Sequence, residues 1–228
     1  MFSATYFFQE RYRKKLLNKK LGGPIGDYVK TPLVKNNSKI SAIEFLSLDF
    51  ETTGLNTSSD AILSVGCTVI KNLRVMLHEN MHKIIKINMP LPKESVIIHK
   101  ITDDRVTQGE HLHKVMESLL KKIKGRVLLV HFADIERNFI NMACKELYGH
   151  KLPMLVVDTL KIEKRRLQKK NTLVSPRQLR LFNIRADYGL PRYYAHSALE
   201  DAIATAELFL SQLSTLYQQE DTRLSSII

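Results

Sequence analysis

From Ile43 to Phe50 the sequence alternates and is rich in β-forming residues, and it runs into Leu48-Asp49-Phe50-Glu51-Thr52-Thr53-Gly54. Such alternation predicts a strand with one buried face. Side chains two apart in a strand share a face. Asp49 and Glu51 therefore stand together on a face whose preceding positions are apolar. Two carboxylates so placed repel, and burial worsens the repulsion unless a cation holds them. Carboxylates beside polar loop groups are the ligands that hard ions such as Mg²⁺ or Mn²⁺ prefer. The other reading is a strand that reaches the surface with two solvated acids, and for an isolated Asp-x-Glu pair that is the commoner case.

The rest of the chain predicts an order of elements. Asn56 to Asp60 reads as a turn, followed by strands over 61–70 and roughly 73–87, with Lys71-Asn72 as the hairpin turn between them. A helix is expected over 111–124, a short buried strand at Val127–Val130, and a helix over 133–148. A fifth strand ends at Asp158, and helical stretches follow over 159–168 and 176–187. The last helix, over 197–218, carries Leu199, Ala202, Ile203, Ala206, Phe209, Leu210 and Leu213 on one face. Three antiparallel-type strands and then helix–strand units imply an α/β fold, a mixed five-stranded sheet flanked by helices.

No apolar run approaches the roughly 20 residues of a membrane helix, and the N-terminus lacks the pattern of a secretory signal. Cys67 and Cys144 lie in apolar patterns without metal-type spacing, as reduced core residues would. The expectation is a cytoplasmic protein with no membrane partner. Charge is distributed unevenly. Lys and Arg total 35 against 23 acids, a net +12. Residues 1–40 hold nine basic residues and two acids, so +7 of that excess lies there. A surplus of this kind draws a protein to polyanions, nucleic acid above all. The alternative is a solvated leader. The expected organisation is a basic N-terminal extension over 1–40, with a basic helix from about Phe8 to Leu21 and linker chemistry over 31–41. A catalytic domain over 41–216 and a short tail over 217–228 follow.

Two further acidic segments each open a helix, where the helix dipole favours negative charge. One is His131-Phe132-Ala133-Asp134-Ile135-Glu136, and the other is His196-Ser197-Ala198-Leu199-Glu200-Asp201. With the Asp49/Glu51 strand, these resemble the three motifs of the DEDDh 3′→5′ exonuclease family, whose members include the proofreading subunit of bacterial replicative polymerase, ribonuclease T and oligoribonuclease. The resemblance covers roughly residues 42–215. It implies an RNase H-like fold and hydrolysis of terminal phosphodiester bonds with two divalent ions, Mg²⁺ or Mn²⁺, releasing nucleoside 5′-monophosphates. Asp49, Glu51 and Asp201 would be metal ligands and His196 the general base. Its ordinary pKa near ~6.5 suits proton acceptance at neutral pH. The family's other branch has a tyrosine four residues before the last aspartate, a position held here by Ser197.

The second motif departs from the family's H-N-A-x-F-D. Glu136 aligns with the aspartate, Asp134 is the rival ligand, and Phe132 replaces the asparagine. By resemblance Thr52, Thr53 and Gly54 would border the terminal nucleotide, and His99 would lie near its base and sugar. Asp158 would sit beside the site, or serve as a helix N-cap. His78, His82, His111 and His113 read as solvated. The basic run 164–170, placed near the site side of the fold, and the run 121–126 would track phosphates or form solvated faces. Tyr193 and Tyr194 would stack on a base or pack in the core. The expected partner is the 3′ end of a nucleic acid, DNA before RNA, with a further protein or nucleic acid partner at residues 1–40. The alternatives are a 3′→5′ exoribonuclease and a relative that binds nucleic acid without cutting it.

Overall fold

A computed structural model describes residues 4–87, 103–169, 174–193, 197–217 and 221–228. His99, Tyr194 and His196 lie outside the described residues.

The centre is a five-stranded sheet in the order β3-β2-β1-β4-β5. Its strands are β1 (Phe45–Thr52), β2 (Ile62–Lys71), β3 (Arg74–Ile84), β4 (Val127–Val130) and β5 (Val156–Asp158). β1 pairs antiparallel with β2 and parallel with β4, so it is the pivot between the meander and the crossover half. Among the described residues the helices are α1 (Ala4–Asn18), α2 (Gly23–Lys30), α3 (Asp103–Thr107), α4 (Leu112–Ile123), α5 (Ala133–Tyr148), α6 (Thr159–Lys169), α7 (Leu181–Asp187) and α8 (Ala198–Leu216). None is long and apolar enough to cross a membrane.

The alternation in β1 sorts its residues onto two cores. Leu46, Leu48 and Phe50 join Leu128 and Val130 in a cluster covered by α2, α4 and α5. Phe45 joins Val127, Leu129 and Val157 on the opposite face, under Phe209 and Leu213 of α8 and Ile162 of α6. Cys67 and Cys144 are buried free thiols of the first cluster, and burial pushes them up to about 11 and about 12. Helix α8 buries more than one stripe. Ala204, Thr205, Leu208 and Gln212 are buried beside the expected face, because α6 and α7 cover the side turned away from the sheet. The Gln212 amide donates to the Thr159 carbonyl at 3.0 Å.

Three local expectations are corrected. The hairpin turns at Asn72-Leu73, both left-handed at φ 51° and 57°, rather than at Lys71-Asn72. This matches the twist of the flanking strands. Pro176 starts a turn and α7 begins only at Leu181. Residues 31–41 are not a solvated linker: Leu33, Asn36 and Ile40 are buried. They are zipped to the end of the chain, where Ile40 N–H donates to Thr222 O at 2.9 Å, Leu224 N–H to Ser38 O at 3.0 Å and Ser225 N–H to Asn36 O at 2.9 Å. Leu224 and Ile227 plug the second cluster.

Helices α1 and α2 pack on the body of the protein. Leu16, Ile25, Tyr28 and Val29 belong to the first cluster. The buried Arg13 is neutralised by Glu10 and donates to Val29 O.

Candidate active site

β1 delivers Asp49 and Glu51 to the sheet's C-terminal rim on the face that α8 covers. A register shift between Glu51 and Thr52 ends the pairing there. Asp201, in the first turn of α8, completes a trio whose carboxylate oxygens lie within 4.8 Å of one another. Two features seat α8 so closely. Ser47, on the same face of β1, donates its hydroxyl to Ala202 O at 2.7 Å. Gly66 of β2 pairs with Asp49, and a Cβ on it would stand 2.1 Å from both Ala198 C and Leu199 N. Only glycine lets the helix backbone rest on the strand there.

Glu136 approaches from α5. It is 3% exposed, and its Oε2 is buried with no hydrogen-bond partner among the described residues. Burial, then the charges of Asp158 and Asp134, push its carboxyl up to about 8. Burial also holds Asp49 well above the ordinary carboxylate range, reinforced by Glu136, Glu51 and Asp201. This is the electrostatic state of a site built for positive charge: four carboxylates converge, and protons or cations must relieve them. Asp134 lies differently. Its side chain is half exposed and pairs with Arg137 at 2.6 Å. Oxygen donors so crowded and desolvated fit divalent cations, with Asp49, Glu51 and Asp201 as the tight set and Glu136 beside them.

Asp158 works as a double cap. Its Oδ1 accepts Phe132 N–H at 3.1 Å and Leu160 N–H at 3.0 Å, and its Oδ2 accepts Ala133 N–H at 3.0 Å. It thus ties the start of α5 to the start of α6. The cap forces Phe132 into the left-handed region, φ 77° and ψ 67°, with its ring 44% exposed. Bulky residues rarely adopt this conformation, whereas asparagine tolerates it. Beneath it the half-buried His131 lies between Leu179 O, 2.9 Å from Nε2, and Thr159 Oγ1, 2.8 Å from Nδ1. Burial lowers its pKa. The ring donates from Nε2 to the Leu179 carbonyl, and Thr159 Oγ1, beside Nδ1, also lies 3.2 Å from Val130 O.

The loop after β1 is fastened internally. Thr52 donates to Gly54 O at 2.7 Å, and Thr53 Oγ1 lies 3.2 Å from Asp60 Oδ1 while accepting Ala61 N–H at 3.0 Å. A Cβ on Gly54 would meet Asp60 Oδ2 at 2.5 Å. Both hydroxyls are therefore engaged within the loop.

Sequence reading missed Gly66 and Ser47. His82 is in register with Gly66, which is in register with Asp49. It is exposed, as expected, and its pKa is lowered by partial burial and by Arg105 while Glu51 raises it, so it stands at the solvent edge of the acids. The signal available was a glycine inside a strand, which marks close backbone approach. Tyr193 is held by structure: its hydroxyl donates to Glu207 at 2.8 Å, and the buried Arg185 lies 4.8 Å from its ring centre. The basic run 164–170 is not at the site end. Arg165, Arg166 and Lys169 line a cavity of about 680 Å³ with Leu216 and Tyr217, at the far end of α8 from Asp201. In the run 121–126, Lys121 pairs with Glu117, and Lys122 and Arg126 sit among Glu44 and Glu79.

Known proteins resemble this chain in sequence and fold. Over 199 residues the chain is 27% identical to the PolC-type DNA polymerase III of Thermotoga petrophila, a match covering 86% of this chain and 14% of that protein. Over 163 residues it is 28% identical to the 3′-5′ exonuclease DinG of Staphylococcus aureus, covering 72% and 17%. The chain thus spans less than a fifth of these relatives' length. The nuclease domain of 3′hExo, a DEDDh family member bound to rAMP, superposes with a TM-score of 0.66 at 17% identity, over 84% of this chain and all of that one. The profile of the family described as "Exonuclease" matches residues 46–209. With its fold and acid cluster, the chain belongs to the ribonuclease T-type exonuclease family.

Proposed function

We propose that the protein is a 3′→5′ exonuclease that hydrolyses the terminal phosphodiester bond of a nucleic acid strand and releases nucleoside 5′-monophosphates. The observation that carries this is the convergence of Asp49, Glu51 and Asp201 within 4.8 Å, with the buried Glu136 beside them. Asp49, Glu51, Glu136 and Asp201 would hold two divalent ions, Mg²⁺ or Mn²⁺. When bound, such ions supply positive charge that offsets the carboxylates and stabilises charge developing on the phosphoryl oxygens.

The protein's own groups do the rest. His196 takes the proton from the attacking water, as a neutral imidazole does near pH 7. The turn Thr52-Thr53-Gly54 borders the terminal nucleotide through its backbone, its hydroxyls being engaged internally. His99 contacts the base or sugar. Glu136 takes the place of the family's aspartate, and Asp134 remains outside the cluster.

DNA is the favoured substrate, because sequence likeness runs to a DNA polymerase and to DinG. An exoribonuclease is the second reading, supported by the rAMP bound to 3′hExo. Release of mononucleotides from 5′-labelled single-stranded DNA and RNA oligomers, in Mg²⁺, Mn²⁺ or EDTA, tests both. Metal-dependent shortening that vanishes in Asp49→Ala and in His196→Ala is expected. Tight oligomer binding with no shortening in either metal would replace the enzyme with a binding module.

A further inference from the structure

Helix α1 is turned inside out for a surface helix. At 100° per residue, Phe7, Phe8, Arg11, Lys14 and Lys15 fall within an arc of about 120°. All five are exposed, the two rings by 60% and 63%. The opposite arc does the docking. Arg13 and Leu16 are buried, and Gln9 Oε1 accepts Met154 N–H at 3.1 Å. The solvent face therefore owes nothing to holding α1 in place. Its rings meet edge to face, with centres 6.0 Å apart. Among the described residues Arg11, Lys14 and Lys15 meet no carboxylate at ion-pair distance, since Glu10 is taken by Arg13. Lys19 and Lys20 extend the positive charge past the helix end.

Exposed aromatic rings among unpaired cations match the chemistry of a single nucleic acid strand, with bases to stack and phosphates to neutralise. An interfacial membrane helix needs a broad apolar face. Among the described residues of α1 only two rings stand in a field of charge, and the next exposed large hydrophobic residue, Leu17, points about 120° away from Arg11.

We propose that this face of α1 is an accessory surface for single-stranded nucleic acid, engaging the strand upstream of the 3′ end that the acid cluster receives. This rests on nucleic acid being the substrate, as proposed above. Position sets its range. Helix α1 docks on the segment joining α5 to β5, where Tyr28 of α2 also donates to Pro153 O at 2.8 Å. That segment follows the far end of α5, twelve residues or about 18 Å from Glu136. At about 3.4 Å per stacked nucleotide, only strands longer than about five nucleotides reach it.

The test is binding of a 30-nucleotide oligothymidylate in EDTA across a salt series, with turnover of a four-nucleotide oligomer in Mn²⁺ alongside. The variants are Phe7→Ala/Phe8→Ala and Arg11→Glu/Lys14→Glu/Lys15→Glu, both confined to exposed side chains and checked by thermal melting. Each should weaken 30-mer binding at least about tenfold and leave 4-mer turnover unchanged. The charge variant should also flatten the salt dependence by about two in slope, near 0.7 per lost phosphate contact. Wild-type affinity for the 30-mer in both variants overturns the proposal. So do variants that lose binding to anionic phosphatidylserine vesicles while keeping their affinity for the 30-mer. Because binding is read in EDTA, an oligomer bound but never shortened would refute the exonuclease reading and leave this surface standing.

Discussion

Gly66→Ala is the substitution that most directly asks whether helix seating builds the acid cluster. The added Cβ would lie 2.1 Å from Ala198 C and Leu199 N, and ordinary contact begins near 3.4 Å, so backbone must separate by about 1.3 Å. The atoms met are main chain, so trimming the Ala198 side chain brings no relief. Overpacking of this kind costs roughly 1–3 kcal/mol, or about 2–12 °C in Tm for a domain of this size. The functional loss should be larger. Asp201 stands three residues beyond Ala198, in the helix's first turn, and a displacement of about 1 Å in a catalytic group costs on the order of 10²-fold in rate. Steady-state shortening of an oligonucleotide, with Mn²⁺ affinity and thermal melts alongside, separates the two effects. A folded Gly66→Ala protein should show kcat reduced about 100-fold and weaker Mn²⁺ binding. Wild-type kcat and Tm together would refute the idea that β2 and α8 touch there.

Three further outcomes are expected. Glu136→Gln should lower kcat by at least about 100-fold, whereas Asp134→Ala, which breaks only an exposed pair with Arg137, should stay within about twofold; the reverse ranking in the same assay would move the ligand to Asp134. Without metal, Glu136 stays protonated to about 8 in the fold against an ordinary 4.5, so the folded state holds a proton the unfolded chain has lost, and stability falls as pH rises between those values. The half-buried His131, whose pKa is lowered, acts oppositely up to its ordinary 6.5, so the fall should be clearest from pH 6.5 to 8. Melts in EDTA should show it, Mn²⁺ should remove it, Glu136→Gln should reduce it to the part that Asp49 carries, and a flat EDTA profile above pH 6.5 would count against a buried acid. Phe132→Asn removes left-handed strain worth about 1–2 kcal/mol, so urea unfolding should show a gain near 1 kcal/mol, and a loss would mean the ring is packed rather than strained.

Much of the site could be read from one dimension because its parts are local. Asp49 and Glu51 share a strand face by alternation alone. Val127–Val130 and Ala133–Tyr148 run where their composition predicts, since a short buried strand and an acid-started helix carry their own signals. What could not be read is contact between backbones far apart in sequence. Gly66 looks like a weak point of a strand until α8 lies on it. The pairing of residues 36–40 with 222–225 uses main-chain groups, which leave no pattern in side-chain identity. Asp158 was legible as one cap, but its second, on Phe132 and Ala133, requires β4 and β5 to be neighbours. The role of α1 was legible as charge only, because the docking of Arg13 and Leu16 decides which cations face water.

The acid cluster is divided very unevenly along the chain. Asp49 and Glu51 precede Asp201 by 150 residues. A ribosome adding about 5–20 residues per second therefore takes roughly 8–30 s between them. Throughout that interval the nascent protein has its basic helix α1 but not the helix that completes the carboxylate trio. Nor can residues 36–40 find their partners until residue 225 has emerged. The carboxylate trio is thus assembled from segments translated far apart, and α8 is the one that completes it.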